Sequence, residues 1–173
     1  VKVVVIGEAP NRAAEMLVRT RADWYGWSEN DRLRFVRKLA GTGTCGERLA
    51  ELAGVGFHDW LAVTDRHNVL DRWPGAGKKG DLFSRAEAAL GVIRLLPVVS
   101  GRVVLFLGHR SAGAFSISDE YLRWSERMVG KFRFYSATFP HPSRINRWWN
   151  DPKNRKRAER FLRTTLNTAR GEE

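Results

Sequence analysis

Cysteine is almost absent: Cys45 is the only one among 173 residues. A disulfide within the chain and a thiolate-held iron–sulfur cluster are therefore both excluded. Histidine is nearly as scarce, and His58, His67, His109 and His141 fall without metal-ligand spacing, so no metal or organic cofactor is expected. Long apolar runs are missing too. The first one, Val3 to Ile6, is too short for a signal-peptide core, and nothing approaches a membrane span. These absences lead us to expect a reducing, cytoplasmic setting with no membrane partner. A chain that opens at Val1 directly on a strand points to a removed initiator methionine or a trimmed terminus.

Acidic residues are in deficit: 19 Asp plus Glu face 30 Lys plus Arg, a net charge of +11. The excess is concentrated. The window 144–163 carries eight basic residues against two acids, Asp151 and Glu159. Lys and Arg in such density neutralise phosphates and release counterions, which favours a polyanionic partner over a merely solvated surface. Hydrophobic residues make up 43% of the chain, enough for one folded domain over 1–173.

Short apolar runs predict strands over 2–6, 59–63, 103–107 and 133–138. Helical spacing appears between them. Residues 46–54 place Leu49 and Leu52 inward, and residues 83–96 place Ala86, Leu90, Ile93 and Leu96 on one stripe. A further helix is expected to open near Ser111. Residues 152–168 form a last one, with Asp151 as N-cap, Pro152 at the first position and Phe161, Leu162 and Leu166 as its apolar stripe. One or two helices are expected between Met16 and Leu39. Strands alternating with helices predict an α/β fold, a three-layer α/β/α sandwich around a four-stranded parallel sheet. Ligands of such sheets bind outside the carboxyl ends of the strands. Two phrases fall there: Gly7-Glu8-Ala9-Pro10 after the first strand and His141-Pro142-Ser143-Arg144 after the last.

Five phrases, in order, carry a family resemblance. They are Val5-Ile6-Gly7-Glu8-Ala9-Pro10, the segment Gly41 to Leu49, Asn68-Val69-Leu70, Val104-Leu105-Phe106-Leu107-Gly108 and His141-Pro142-Ser143. Together they resemble the uracil-DNA glycosylase superfamily, nearest the branch with a Gly-Glu-Ala-Pro-Gly phrase. That branch holds an iron–sulfur cluster on four cysteines; this chain has one cysteine. Asn11 stands where a glycine is usual, and Ala9 where other branches carry a catalytic Asp or Asn. The loop after the first motif is longer and carries Asp23-Trp24-Tyr25-Gly26-Trp27.

The resemblance implies a DNA glycosylase that flips a base out of DNA, hydrolyses its N-glycosidic bond and leaves an abasic site. Glu8 would stabilise the cationic sugar or orient water. The competing reading is a carboxylate favoured by a helix start at Pro10 and Asn11. His141 would donate a hydrogen bond to the departing base, against a histidine satisfied by a backbone carbonyl. Asn68 would read the base edge, against a turn asparagine; His67 reads as structural. Ala9 and Pro10 would line the base pocket, and an aromatic among Trp24, Tyr25, Trp27 and Phe35 would stack on the base. Ile145 would wedge into the vacated duplex, with Ser143, Arg144, Asn146, Arg147 and Arg110 on phosphates. Ser111 would either hold a phosphate at a helix start or cap that helix. Trp148 and Trp149 are expected to pack the loop against the last helix. Arg32, Arg34, Arg37 and Lys38 would add to the DNA face. No lysine is placed for strand cleavage, so the enzyme would be monofunctional, monomeric and nucleoid-associated. Rival readings are a glycosylase for hydroxymethyluracil or hypoxanthine, a silent DNA-binding module, and a small-molecule-binding α/β domain.

Overall fold

The computed structural model describes residues 2–9, 45–78, 80–143 and 146–171. The expected helices between Met16 and Leu39, and the calls on Pro10, Tyr25, Trp27, Arg144 and Ile145, lie outside these residues.

Alternation along three strands explains the architecture. β1 (Val3–Gly7) is buried along its whole length. Val3 and Val5 enter one core, Val4 and Ile6 the other. β5 (Val103–Leu107) repeats the pattern, with Leu105 and Leu107 on the first side and Val104 and Phe106 on the second. β7 (Phe132–Phe139) does the same with Ala137 and Phe139 against Phe134. Strands apolar on both faces need a layer on each side. The first face is covered by α1 (Cys45–Ala53), α2 (Phe57–Val63) and α5 (Pro152–Arg170). The second is covered by α3 (Arg85–Val99) and α4 (His109–Ala114). The result is three layers, α/β/α.

The sheet has five strands in the order β2-β1-β5-β7-β6. β2 (Thr64–Asn68), β1, β5 and β7 run parallel; β6 (Ser125–Val129) is antiparallel to β7 and forms one edge. The expected sheet of four parallel strands is thus present, with a fifth added through the hairpin at 130–131. A separate two-stranded ribbon pairs β3 (Ala76–Gly77) with β4 (Gly80–Asp81).

Two expectations are corrected. Residues 59–63 are not a strand. They belong to α2, which buries Trp60 in the first core, and Thr64 Oγ1 donates back to the Trp60 carbonyl at 2.7 Å. The strand is the next segment, Thr-Asp-Arg-His-Asn. Only Thr64 is buried in it, so no apolar run announces it, and its strand character comes from pairing with β1, from Val3↔Thr64 to Gly7↔Asn68. The second correction concerns the inward face of α3. Ala88, Gly91, Leu95 and Val99 are buried, while Leu90 and Ile93 are 69% and 66% exposed. A Cβ on Gly91 would stand 1.9 Å from the Val69 carbonyl oxygen. The smallest residue marks the line of closest approach, with Leu95 and Val99 beside it in the second core and Leu96 packed at its edge; Leu90 and Ile93 turn to the outside. The start of α3 is capped by Ser84, whose Oγ accepts from the Glu87 N–H, while the Glu87 carboxylate pairs with Arg72.

Candidate active site

The carboxyl ends of the parallel strands bring three polar side chains together. After β1, the Gly7 and Glu8 carbonyls accept from the Val69 and Leu70 N–H groups at 3.0 and 2.9 Å, so Glu8 leaves the sheet on a continued ladder. Asn68 ends β2 directly opposite Gly7. A Cβ on Gly7 would lie 2.6 Å from Asn68 Oδ1, so glycine is what admits the amide over the strand end. Among the described residues that amide makes no hydrogen bond of its own. After β5 comes Gly108, at φ +88°, with its N–H on the Phe139 carbonyl. A Cβ there would stand 3.3 Å from Glu8 Oε1 and 3.3 Å from His141 Cβ. Glu8 and His141, 133 positions apart in sequence, therefore flank the same glycine.

His141 is half-buried and heavily braced. Its carbonyl accepts from Trp149 Nε1 at 2.9 Å and Asn146 Nδ2 at 3.1 Å. The next carbonyl, of Pro142, accepts from the Arg48 guanidinium, reaching over from α1. The ring Nδ1 accepts from the Ser143 N–H at 3.3 Å. A nitrogen that accepts carries no proton, so the neutral ring keeps its proton on Nε2 and presents it as a donor. Burial holds the imidazole below its ordinary value of 6.5, and the charges of Arg110 and Arg48 push in the same direction. The ring is accordingly neutral at physiological pH.

Glu8 is 25% exposed, and Arg110 Nη1 lies 3.6 Å from its carboxylate. That carboxylate acts on its surroundings. Tyr121 is pushed above the usual phenol range by burial and then by Glu8. Cys45 sits at the exposed start of α1, yet its thiol is crowded; burial pushes it up, Arg48 opposes this and Glu8 adds to it. Tyr121 is carried to the rim by a bridge to Thr138. Its ring stacks on His109 at 4.2 Å and meets Trp148 edge-on at 5.9 Å.

Of the residues expected at the site, Glu8, Ala9, Asn68, Arg110, His141 and Ser143 lie at these strand ends. Arg147 is exposed at the start of a 3-10 turn, Arg147–Asn150. Two leave the set of DNA contacts. Ser111 is fully buried, and its hydroxyl bonds the Leu107 and Gly108 carbonyls at 3.0 Å, which also replaces the capping role. Asn146 has both ends of its amide engaged, Nδ2 on His141 and Oδ1 accepting from the Trp148 N–H. It braces the loop from inside. His67 pairs with Asp65 at 3.0 Å, away from the rim, as a structural residue does. Trp148 and Trp149 pack the loop against the first core, as expected. Arg48, Tyr121 and Arg94 were missed. Arg94 Nη2 reaches the Asn68 and Val69 carbonyls at 2.9 and 3.3 Å. Only Arg48 had a signal, its position inside the Gly41–Leu49 phrase.

Beside the loop, α5 is two-sided. Ala158, Leu162, Thr165 and Leu166 face the core; Lys153, Lys156, Arg157, Arg160 and Arg163 are exposed. Arg155 is taken by Glu51 and Glu159. Among the described residues Lys153, Lys156, Arg160 and Arg163 have no acidic partner. No described group of His, Cys, Asp or Glu is arranged to hold a metal ion, and no described helix is long and apolar enough to cross a membrane. No family model matches the chain, and no curated protein matches it. The functional reading therefore stands on these side chains.

Proposed function

We propose that this chain is a nucleic-acid N-glycoside hydrolase of uracil-DNA glycosylase-like fold. More particularly, we read it as a monofunctional DNA glycosylase that removes uracil and leaves an abasic site. The observation that carries the reading is that Glu8 and His141 lie against the same side of Gly108, each 3.3 Å from where a Cβ would stand, with the His141 Nδ1 accepting from the Ser143 N–H.

Breaking an N-glycosidic bond builds positive charge on the sugar and negative charge on the base. A fixed carboxylate suits the first and a fixed N–H donor the second, because neither must reorganise as charge develops. A neutral imidazole donates without giving up its proton, as a departing uracil anion requires. Asn68 offers an amide donor and acceptor to the uracil edge. Arg110 sets an opposite charge 3.6 Å from the Glu8 carboxylate. The unpaired cations of α5 suit a run of phosphates beside the pocket. Ala9 remains a candidate for the pocket wall, and Ser143, Arg110 and Arg147 for phosphate contacts.

The test is base release from oligonucleotides carrying one U, hydroxymethyluracil, hypoxanthine or mismatched T, in single and double strands, with alkali added to cut abasic sites. Wild type is run beside Glu8→Gln and His141→Ala. Alkali-dependent cutting at U, suppressed by both substitutions, is expected. Cutting only at another base would move the substrate. DNA binding without cutting on any substrate would replace the enzyme with a silent binding module.

A further inference from the structure

The loop that carries His141 is bounded by Pro140 and Pro142, neither of which has an N–H to pair. Its backbone is held instead by side chains. Asn146 and Trp149 both spend their donors on the His141 carbonyl, and the Asn146 N–H goes to the Ser143 carbonyl. Among the described residues the Pro142 carbonyl is served by one group, the Arg48 guanidinium. That residue comes from α1, which is anchored in the first core by Leu49, Ala50, Leu52 and Ala53.

We propose that Arg48 is the positioning residue of His141, tethering its loop through the Pro142 carbonyl and placing a fixed positive charge beside the imidazole. This rests on the reading of His141 as a neutral donor. The charged and titratable groups about the ring are Arg48 from α1, Arg110 from α4 and Glu8 from the end of β1, with Cys45 and Tyr121 in the field of Glu8. Arg110 shares its charge with Glu8 at 3.6 Å. Arg48 has no acidic partner among the described residues, and its charge adds to the larger effects of burial and of Arg110 on the ring. A protonated His141 would be a third cation in this corner. Arg48 thus performs two tasks with one group: the tether sets where the Nε2–H points, and the charge adds to burial and Arg110 in keeping the ring a neutral donor. Arg94 makes the contrasting case on the other face. It grips the Asn68 and Val69 carbonyls but pairs with Asp71, so it positions without a net field.

The test separates charge from tether. The imidazole resonances of His141 are followed through a pH titration by NMR, with no substrate present, in wild type, Arg48→Lys, Arg48→Gln and Arg48→Met. His58, His67 and His109 serve as internal references, and Arg94→Met is the control for loss of a carbonyl clamp elsewhere. Arg48→Lys should leave the His141 titration near wild type. Arg48→Gln and Arg48→Met should both move it to higher pH, and Arg94→Met should not. With uracil-containing DNA, Arg48→Met should lower kcat on the order of 10- to 100-fold with little change in KM, the scale of a small misplacement at a reacting centre. Its acid limb should move to higher pH as well. An unmoved His141 titration in both Arg48→Gln and Arg48→Met would overturn the proposal, as would an unchanged kcat in Arg48→Met. If Arg48→Met does not fold, the Lys and Gln pair decides the same question. If wild type releases no base, the glycosylase reading fails, and the titration still decides whether Arg48 sets the state of His141.

Discussion

Glu8 and His141 both lie against one glycine, Gly108, yet the protein holds them by different means. Glu8 leaves β1, which has hydrogen-bonded neighbours on both sides, and its own carbonyl continues the ladder to Leu70. Its place is a by-product of sheet formation. His141 leaves β7 between two prolines, where the ladder cannot continue, and three side chains take over: Asn146, Trp149 and Arg48. A group held by the backbone ladder is robust to substitution nearby. A group held by side chains is precise but exposed to single changes, and its electrostatics can be adjusted one residue at a time.

That contrast can be broken at several points. The largest effect expected is on catalysis: His141→Ala should lower kcat by roughly 10²–10³, the usual loss for one preorganised donor, with the melting temperature little changed. Next comes the support of the Asn68 segment. Gly91→Ala forces a methyl against the Val69 carbonyl, and about 1–3 kcal/mol of overpacking should appear in chemical denaturation. A variant as stable as wild type would show that α3 can slide. Trp149→Phe keeps the ring and removes one bond to the His141 carbonyl, which is worth about 1 kcal/mol; base release should fall more steeply than stability does. A smaller effect is expected from pH. His141 has a lowered folded value, so as pH falls through about 6.5 the unfolded chain takes up a proton first and stability declines. The decline should be absent in His141→Gln when the two stability curves are subtracted. Asp65, held low chiefly by its bond to Arg102, acts in a separate window below its ordinary 3.8. Least of all, Glu51→Ala removes an exposed partner of Arg155 and should cost at most about 0.5 kcal/mol. A larger loss there would mean the exposed faces matter more than the two clamped strand ends.

Where local pattern and packing coincide, the chain is readable residue by residue. β1 and β5 are apolar on both faces, β7 is apolar on one and carries buried Ser136 and Thr138 beside Phe134 on the other, and all three were expected within a residue or two. The α5 start is written in Asp151-Pro152, and Asp151 Oδ1 indeed accepts from the Lys153 N–H at 2.8 Å. Elsewhere local pattern misleads. β2 is a polar edge strand, and the apolar segment before it is a helix. Leu90 and Ile93, inward by the apolar pattern of α3, are on its exposed side. In both cases the deciding contact is with a distant partner, β1 for one and the Val69 carbonyl for the other.

The sequence alone determined a basic chain with one cysteine, alternating strands and helices, and three phrases that nominate Glu8, Asn68 and His141. Only the tertiary structure decided that Glu8 and His141 share the flank of Gly108, that Ser143 selects the Nε2–H tautomer, that Ser111 and Asn146 face inward, and that Arg48 grips the histidine loop. The physical reason is range. Burial periodicity and capping act over a few residues and leave a trace in local composition. A guanidinium on a carbonyl 94 positions away leaves none in local composition: the Gly41–Leu49 phrase marked the segment that holds Arg48, but nothing in it names the oxygen that the fold brings to that arginine.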